Sequence, residues 1–306
     1  MRLSSRLLTG LAFVTSLGLA QGNAAAQGDP ALDFVRQARQ LNNQGKFDDA
    51  LALYEKAENL SPNLYEIHAG MGVTLDLKGQ YEEARKHLAR AIELASAQQK
   101  DGALRSMAMS YAFERKGREA EKYASQAYDN RLATNDFNGA AEVANELARI
   151  LIESDDLDGA ARWYAKGHTT ALRQTALTDS AKDLWEFRWL HAEARIAARR
   201  GKPAEAQAKV AAAKGVIDHG RIPDQARFLP YLTGYVAFYG KDYKGALEAF
   251  QKADQRDPFI LSLIAQSYEH LGDKAQATEY WHKVLAFNQH NPTGAFSRPL
   301  AVQRLK

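Results

Sequence analysis

Two sets of side chains in this sequence could hold a metal ion. They are the carboxylates of one acidic run and the imidazoles of eight histidines. The run from Glu153 to Gly159 has the carboxylates of a calcium loop, but Ala165 stands where the closing bidentate glutamate is needed. The same run suits a solvated turn that caps the next helix. His282 and His290 are too far apart in sequence to form a ready metal pair, and we interpret them as surface or half-buried residues. We therefore predict no metal and no cofactor.

Motifs for covalent or acid–base catalysis are missing from the sequence. It has no Gly-x-Ser-x-Gly, no His-Glu-x-x-His and no phosphate-binding loop. It has no cysteine, which excludes disulfides, thiol catalysis and cysteine-held metals. We predict no catalytic residue, so function should reside in binding surfaces rather than in an enzymatic centre.

A recurring pair of small residues organises the chain. Seven times, a small residue precedes an alanine by twelve positions. The pairs are Ala38/Ala50, Gly72/Ala84, Ala108/Ala120, Ala148/Ala160, Ala194/Ala206, Gly234/Ala246 and Ala265/Ala277. Because a small residue on each of two helices lets their backbones approach, the pattern indicates seven stacked helix–turn–helix units.

Local signals agree with helices. Asp29-Pro30, Ser61-Pro62 and Asp257-Pro258 each place a capping side chain before a proline, which predicts helix starts. Gly45 and Gly79 suit helix ends. Convincing strand alternation is missing, so we predict about fourteen main helices, two in each unit.

The units resemble the tetratricopeptide repeat family. The first unit shows the family's pattern at Phe34, Ala38, Leu41, Gly45, Phe47, Ala50, Tyr54, Ala57 and Pro62. The second follows at the family's 34-residue spacing, with Gly72, Leu75, Gly79, Tyr81, Ala84, Leu88 and Ala91. The resemblance covers residues 31–291, is tightest in the first two and last two units, and implies an all-α, right-handed superhelical solenoid of about seven repeats.

Two segments depart from the regular repeats. An insertion near 175–186 should lengthen the second helix of repeat four or add a short linking helix. The tail, residues 292–306, contains Pro292 and Pro299 and should cap repeat seven, because a stack needs a cap at each end. A short peptide that docks elsewhere is the alternative. The solenoid itself is predicted over residues 27–291.

The N-terminus has the features of a secretory signal. Arg2 and Arg6 precede an uncharged apolar run, Leu7–Ala20, and Ala24–Ala26 offers a cleavage site. We predict a signal peptide over residues 1–26 and an exported protein, periplasmic or secreted, with no integral membrane span after cleavage. An uncleaved anchor remains the alternative. The net charge of +3 falls close to zero without the two signal arginines, and nothing predicts a nucleic-acid partner.

The family resemblance implies a candidate ligand groove. In this family the first helix of each repeat lines the concave face. Projecting that face predicts a basic stripe in repeat five, an aromatic stripe in repeat six and one contribution from repeat seven. The residues are Arg188, His191, Arg195 and Arg199, then Phe228, Tyr231, Tyr235 and Phe238, then Gln266. Arginine and tyrosine are common anchors of interfaces. The alternatives are that the aromatics pack against the middle helices and that the arginines form a solvated face.

These features favour a non-enzymatic exported scaffold that binds a protein or peptide of unknown identity in its concave groove. The basic and aromatic stripes of this groove suit a partner with acidic and apolar side chains. A glycan- or small-molecule-binding solenoid is the second possibility, although the aromatic stripe lacks the interleaved carboxylates that would favour sugar binding. An accessory subunit of a cell-envelope complex, recruited through the convex face, is the third.

Overall fold

The computed structural model describes residues 29–306, and the predicted signal peptide lies outside them. Fifteen α-helices and one 3₁₀ turn, Pro223–Phe228, follow one another in this range without a strand. The helices are α1 (Pro30–Asn43), α2 (Phe47–Leu60), α3 (Tyr65–Lys78), α4 (Tyr81–Leu94), α5 (Ala97–Phe113), α6 (Gly117–Ala133), α7 (Phe137–Glu153), α8 (Leu157–Ala171), α9 (Asp179–Arg199), α10 (Pro203–Asp218), α11 (Leu229–Tyr239), α12 (Tyr243–Phe250), α13 (Pro258–Leu271), α14 (Lys274–Leu285) and α15 (Pro292–Arg304). No helix among the described residues is long and apolar enough to cross a membrane.

The first fourteen helices form seven antiparallel pairs, each packed against the next. Every predicted pair of small residues places one member on each helix of a unit, and all fourteen residues are buried. The predicted fold class, an all-α right-handed solenoid of seven helix–turn–helix repeats, is therefore confirmed.

The turns between helices use the capping chemistry expected from the sequence. Asp29 and Asp257 accept hydrogen bonds from the backbone at the starts of α1 and α13, 2.9 and 2.8 Å long. Asp156, in the acidic run, accepts one from Gly159 N at 2.8 Å and so caps α8. Ser61-Pro62 differs from the prediction, because these residues form a turn and α3 begins only at Tyr65.

The insertion near 175–186 lengthens a different helix from the one expected. Residues 172–178 form an irregular turn after α8, and the added length extends α9, the first helix of repeat five. Trp185 on this extension is buried, and Thr178 caps its start by accepting from Ala181 N. The added residues join α9 because its first turns bury Trp185, and this packing stabilises the longer helix. Helix α8 ends at Ala171, its last buried residue.

Helix α15 packs on α13 and α14, the position of a cap, and it also reaches α5 and α7. The segment before it bridges to the first repeats: His290 Nε2 lies 2.8 Å from Asp76 Oδ2, and Asn288 Nδ2 donates to Asn43 O at 3.3 Å. Arg298 Nε donates to Leu77 O at 2.8 Å. The C-terminal segment thus packs on the last repeat and also contacts the first two.

Candidate functional site

A pocket of about 680 Å³ opens between the first helices of the middle repeats. Helices α5, α7 and α9 supply one side, and the 3₁₀ turn with the starts of α11 and α13 supplies the other. Pro292, the first residue of α15, closes part of its wall. Six arginines line it: Arg105, Arg149, Arg188, Arg195, Arg227 and Arg256.

Three of these arginines are neutralised by carboxylates at the pocket. Arg105 binds both oxygens of Glu146, at 3.0 and 2.7 Å. Arg188 Nη1 donates to Glu142 at 2.6 Å. Arg256 binds Asp254 at 3.0 and 3.1 Å. Exposed pairs of this kind contribute little to stability, so they mainly set the charge of the pocket's rim.

The other three arginines, Arg149, Arg195 and Arg227, form no ion pair within the described part of the chain, and Arg227 instead lies over the Phe228 ring. Arg195 is 6% exposed, and its Nη2 donates to the Tyr164 hydroxyl at 2.6 Å. Arg149 is half-buried and forms no ion pair in residues 29–306. Burial raises the pKa of Asp257 and of Glu153, and the charge of Arg149 opposes both increases. A buried guanidinium without a counter-ion is costly, so the buried Arg195, together with the half-buried Arg149, favours an anion in the pocket.

An aromatic layer supports the arginines. His191 stacks on Tyr231 with a centroid distance of 5.6 Å, and Phe187 lies 5.8 Å away. Burial, together with Arg195 and Arg149, lowers the pKa of His191 well below its usual value, so the ring is neutral at pH 7. The Tyr231 hydroxyl is buried without a hydrogen-bond partner among the described residues.

Comparison with known families is consistent with this architecture. Residues 41–104, which span the end of α1 to the middle of α5, match the family model described as tetratricopeptide repeat. The same pair of small residues then continues through five further units of identical topology. The match and the repeated pair together support the tetratricopeptide repeat family for this chain.

Solved structures share its fold. A tetratricopeptide repeat protein from Parabacteroides merdae ATCC 43184 superposes with a TM-score of 0.50 at 12% identity, over 91% of this chain and 98% of that one. The apo form of RapI superposes with a TM-score of 0.55 at 11% identity, over 83% and 96% of the two chains. YrrB, described as a TPR protein with an unusual peptide-binding site, gives a TM-score of 0.42 at 16% identity, over 72% and 92%. Comparison with curated proteins gave no match.

Five of the nine residues predicted to form the groove line the pocket. They are Arg188, His191, Arg195, Phe228 and Tyr231. Phe228 is 37% exposed and presents an apolar surface, whereas Tyr231 and Arg195 lie in the pocket's inner layer. The structure therefore brings the start of the aromatic stripe against the basic stripe.

The remaining four residues lie outside the pocket. Tyr235 is fully buried against Tyr239, and Phe238 packs between Tyr239 and Tyr243. These two positions turn inward because α11 is packed between α9 and α13 beyond its first turn. Both side chains therefore pack inside the solenoid.

Arg199 and Gln266 have internal partners. Arg199 pairs with Glu153 at 3.5 Å and with Asp155, and its Nη1 lies 3.3 Å from the Tyr239 hydroxyl. The Gln266 amide donates to Ser262 O at 3.1 Å. The acidic run, which forms the turn within repeat four, therefore pairs with Arg199 of repeat five, and neither Arg199 nor Gln266 contributes to the pocket.

The most important residue that the sequence prediction missed is Arg149. It follows Ala148 directly, as Arg195 follows Ala194, so the two occupy equivalent positions in repeats four and five. Extending the projected concave face to repeat four would have found it, together with Glu142 and Asn145, which also line the pocket. Arg227 and Arg256 lie in connecting segments, where no repeat register predicts them.

Proposed function

We propose that this protein is a non-enzymatic exported adaptor that binds a protein or peptide in its concave groove, with an acidic group of the partner held at Arg149 and Arg195. The observation that supports this proposal is that Arg149 and Arg195 form no ion pair among the described residues, whereas Arg105, Arg188 and Arg256 at the same pocket each pair with a carboxylate. A carboxylate can accept two parallel hydrogen bonds from a guanidinium, which gives geometric selectivity as well as affinity.

The surroundings define the rest of the partner. Phe228, exposed beside Arg227, offers an apolar contact at the pocket's edge, and Arg227 lies 4.8 Å over its ring. Glu142, Glu146 and Asp254 hold the outer arginines and oppose a second negative charge at the rim. A segment with one acidic group next to an apolar side chain fits this arrangement.

A small anionic molecule is the second candidate. The volume of about 680 Å³ lies within the range of about 300–1,000 Å³ that is usual for small-molecule sites. Pro292 from α15 adds a wall to the pocket, which an open groove would lack. A glycan is less well supported, because most of the aromatic layer is buried and only Phe228 presents a free face.

The test is partner capture with matched variants. Immobilised wild-type protein, Arg149→Ala and Arg39→Ala are exposed to the same exported fraction and to a library of acidic peptides. Arg149→Ala should lose the specific ligand or weaken its affinity by about 1–2 kcal/mol or more, because it removes an anchor. Arg39→Ala, exposed on α1, should bind like the wild type.

Arg105 is unsuitable as a remote control, because it lines the pocket. Binding through Arg149 should also weaken as salt is raised, while the contribution of Phe228 should persist. Unchanged affinity in Arg149→Ala, with a helicity equal to that of the wild type, would contradict the proposal and favour another surface.

Export is part of the proposal and rests on the N-terminal pattern of Arg2, Arg6 and Leu7–Ala20. The exported protein should begin at Gln27. N-terminal sequencing of the protein from the extracytoplasmic fraction checks this expectation. A chain that retains Met1 in the membrane fraction would instead support the uncleaved anchor.

A further inference from the structure

Three potential metal ligands meet at the junction of repeats one and two, a site distinct from the pocket. Glu58 comes from α2, His68 from α3 and His87 from α4. One ligand atom of each residue lies within 4.8 Å of those of the other two. The sequence did not predict this cluster, because intervals of ten and nineteen residues match no metal-binding motif and only the folded repeats bring the three helices together.

The two imidazoles are arranged around a shared point. Their Nδ1 atoms are 3.2 Å apart, and the rings stack at a centroid distance of 5.5 Å. Two histidine nitrogens bound to one tetrahedral Zn²⁺ at about 2.0–2.1 Å lie about 3.3 Å apart, which is close to the observed separation. A simple hydrogen bond between the rings would give a similar distance, so the surroundings must distinguish the two cases.

The outer contact of His68 favours a ligand role. His68 Nε2 lies 2.9 Å from Pro62 O, and a carbonyl oxygen can only accept, so this nitrogen carries the proton. Nδ1 of the neutral ring is then unprotonated and directs its lone pair toward His87. Metal-binding histidines usually donate their second N–H to a carbonyl or carboxylate in this way, which fixes the tautomer and orients the ring.

Glu58 supplies an anionic third group. The side chain is half-buried, its Oε1 is 3.8 Å from His68 Nε2, and one of its carboxylate oxygens lies within 4.8 Å of a ring nitrogen of each histidine. We propose that Glu58, His68 and His87 bind one divalent transition-metal ion with the coordination chemistry of Zn²⁺. Two imidazoles and one carboxylate are a known donor set for Zn²⁺, whereas Ca²⁺ and Mg²⁺ prefer oxygen ligands alone.

The position of the cluster indicates what the ion would do. Its ligands come from three helices in two repeats, so a bound ion cross-links repeat one to repeat two. Repeat one is an end unit and contacts a neighbouring repeat on one side, apart from the tail contact at Asn43. A cross-link there should stabilise the unit that the solenoid holds least firmly.

The experiment uses the full chain without an affinity tag, stripped with a chelator and titrated with Zn²⁺ by calorimetry. The wild type should bind one ion per chain, and its melting temperature should rise with Zn²⁺. Glu58→Gln and His87→Gln should each weaken binding by about 100-fold or more, since changes in outer-shell partners alone cost about 10–100-fold. His282→Gln, exposed on α14, is the matched control and should bind like the wild type.

Two results would overturn the proposal. One is a wild-type protein that neither binds Zn²⁺ stoichiometrically nor melts at a higher temperature with it. The other is undiminished binding in a folded His87→Gln or Glu58→Gln variant. Because His87 packs against His68, a misfolded His87→Gln protein would leave the decision to Glu58→Gln, which changes one oxygen to nitrogen at a half-buried position.

Discussion

At the scale of the residue, the fold depends on glycine and alanine at the helix crossings, because larger side chains would keep the helices apart. A Cβ atom placed on Gly72 would lie 2.6 Å from Leu88 Cγ and 3.1 Å from the Ala84 carbonyl oxygen. A Cβ atom on Gly234 would lie 2.6 Å from the ring of Phe250. The helices of these units are therefore as close as their backbones and the facing side chains allow.

The substitution Gly72→Ala should destabilise the protein by about 1–3 kcal/mol, because the added methyl group overpacks the crossing of α3 and α4. Gly102→Ala is the matched control, since nothing lies within 4 Å of a Cβ atom at this exposed helical position. It should stabilise the protein by about 0.5–1 kcal/mol, through the better helix propensity of alanine. Denaturant unfolding of the two variants checks the opposite signs. Equal effects would mean that helix propensity, and not close packing, governs Gly72.

At the scale of the element, the helix pairs followed from sequence because their pattern is local. A small residue and a second small residue lie twelve positions apart with a turn between them, and each unit repeats this pattern. The start of α9 and the inward rotation of α11 were harder to predict. Both depend on what neighbouring helices bury, such as Trp185 and Tyr235, rather than on a repeat register.

The candidate site shows the same division. Arg188, His191 and Arg195 lie on one helix face, and their helical spacing was enough to predict their common side. Arg256 was not predictable, because it lies in the connection before α13 and reaches the pocket only through the stacking of repeats six and seven. Sequence thus identifies a face, whereas pocket walls from several repeats require the superhelix.

At the scale of the whole molecule, the tail joins the two ends of the stack. The pair His290–Asp76 is buried, and Asp76 also accepts from Ser110 at 2.7 Å. His290 stacks on Phe113 with a centroid distance of 5.5 Å. A solenoid normally contacts only its neighbouring repeats, so this link gives the chain a long-range constraint that a simple stack lacks.

Arg298 is the residue that connects these ends most directly. Its Nε donates to Leu77 O near the end of α3, and its Nη1 donates to Leu285 O at 3.3 Å and to Phe287 O at 3.4 Å after α14. The last carbonyls of a helix have no partner within the helix and carry partial negative charge. One guanidinium therefore satisfies the C-terminal ends of helices in repeats two and seven, and it also lies 5.1 Å over the Phe47 ring.

Replacing Arg298 with alanine should release the tail from repeat two without unfolding the repeats. Loss of charge-assisted hydrogen bonds costs about 1.5–3 kcal/mol, which corresponds to roughly ten- to hundredfold faster amide exchange in α15 and at the end of α3. Hydrogen exchange measures this locally, and small-angle scattering should show a larger radius of gyration. Gln303→Ala, exposed on the same helix, should change neither quantity.

Because Pro292 forms part of the pocket wall, the Arg298→Ala protein should also bind and release its ligand faster. Unchanged exchange in α15 would show that the packing of Phe296 and Ala301, and not Arg298, holds the tail.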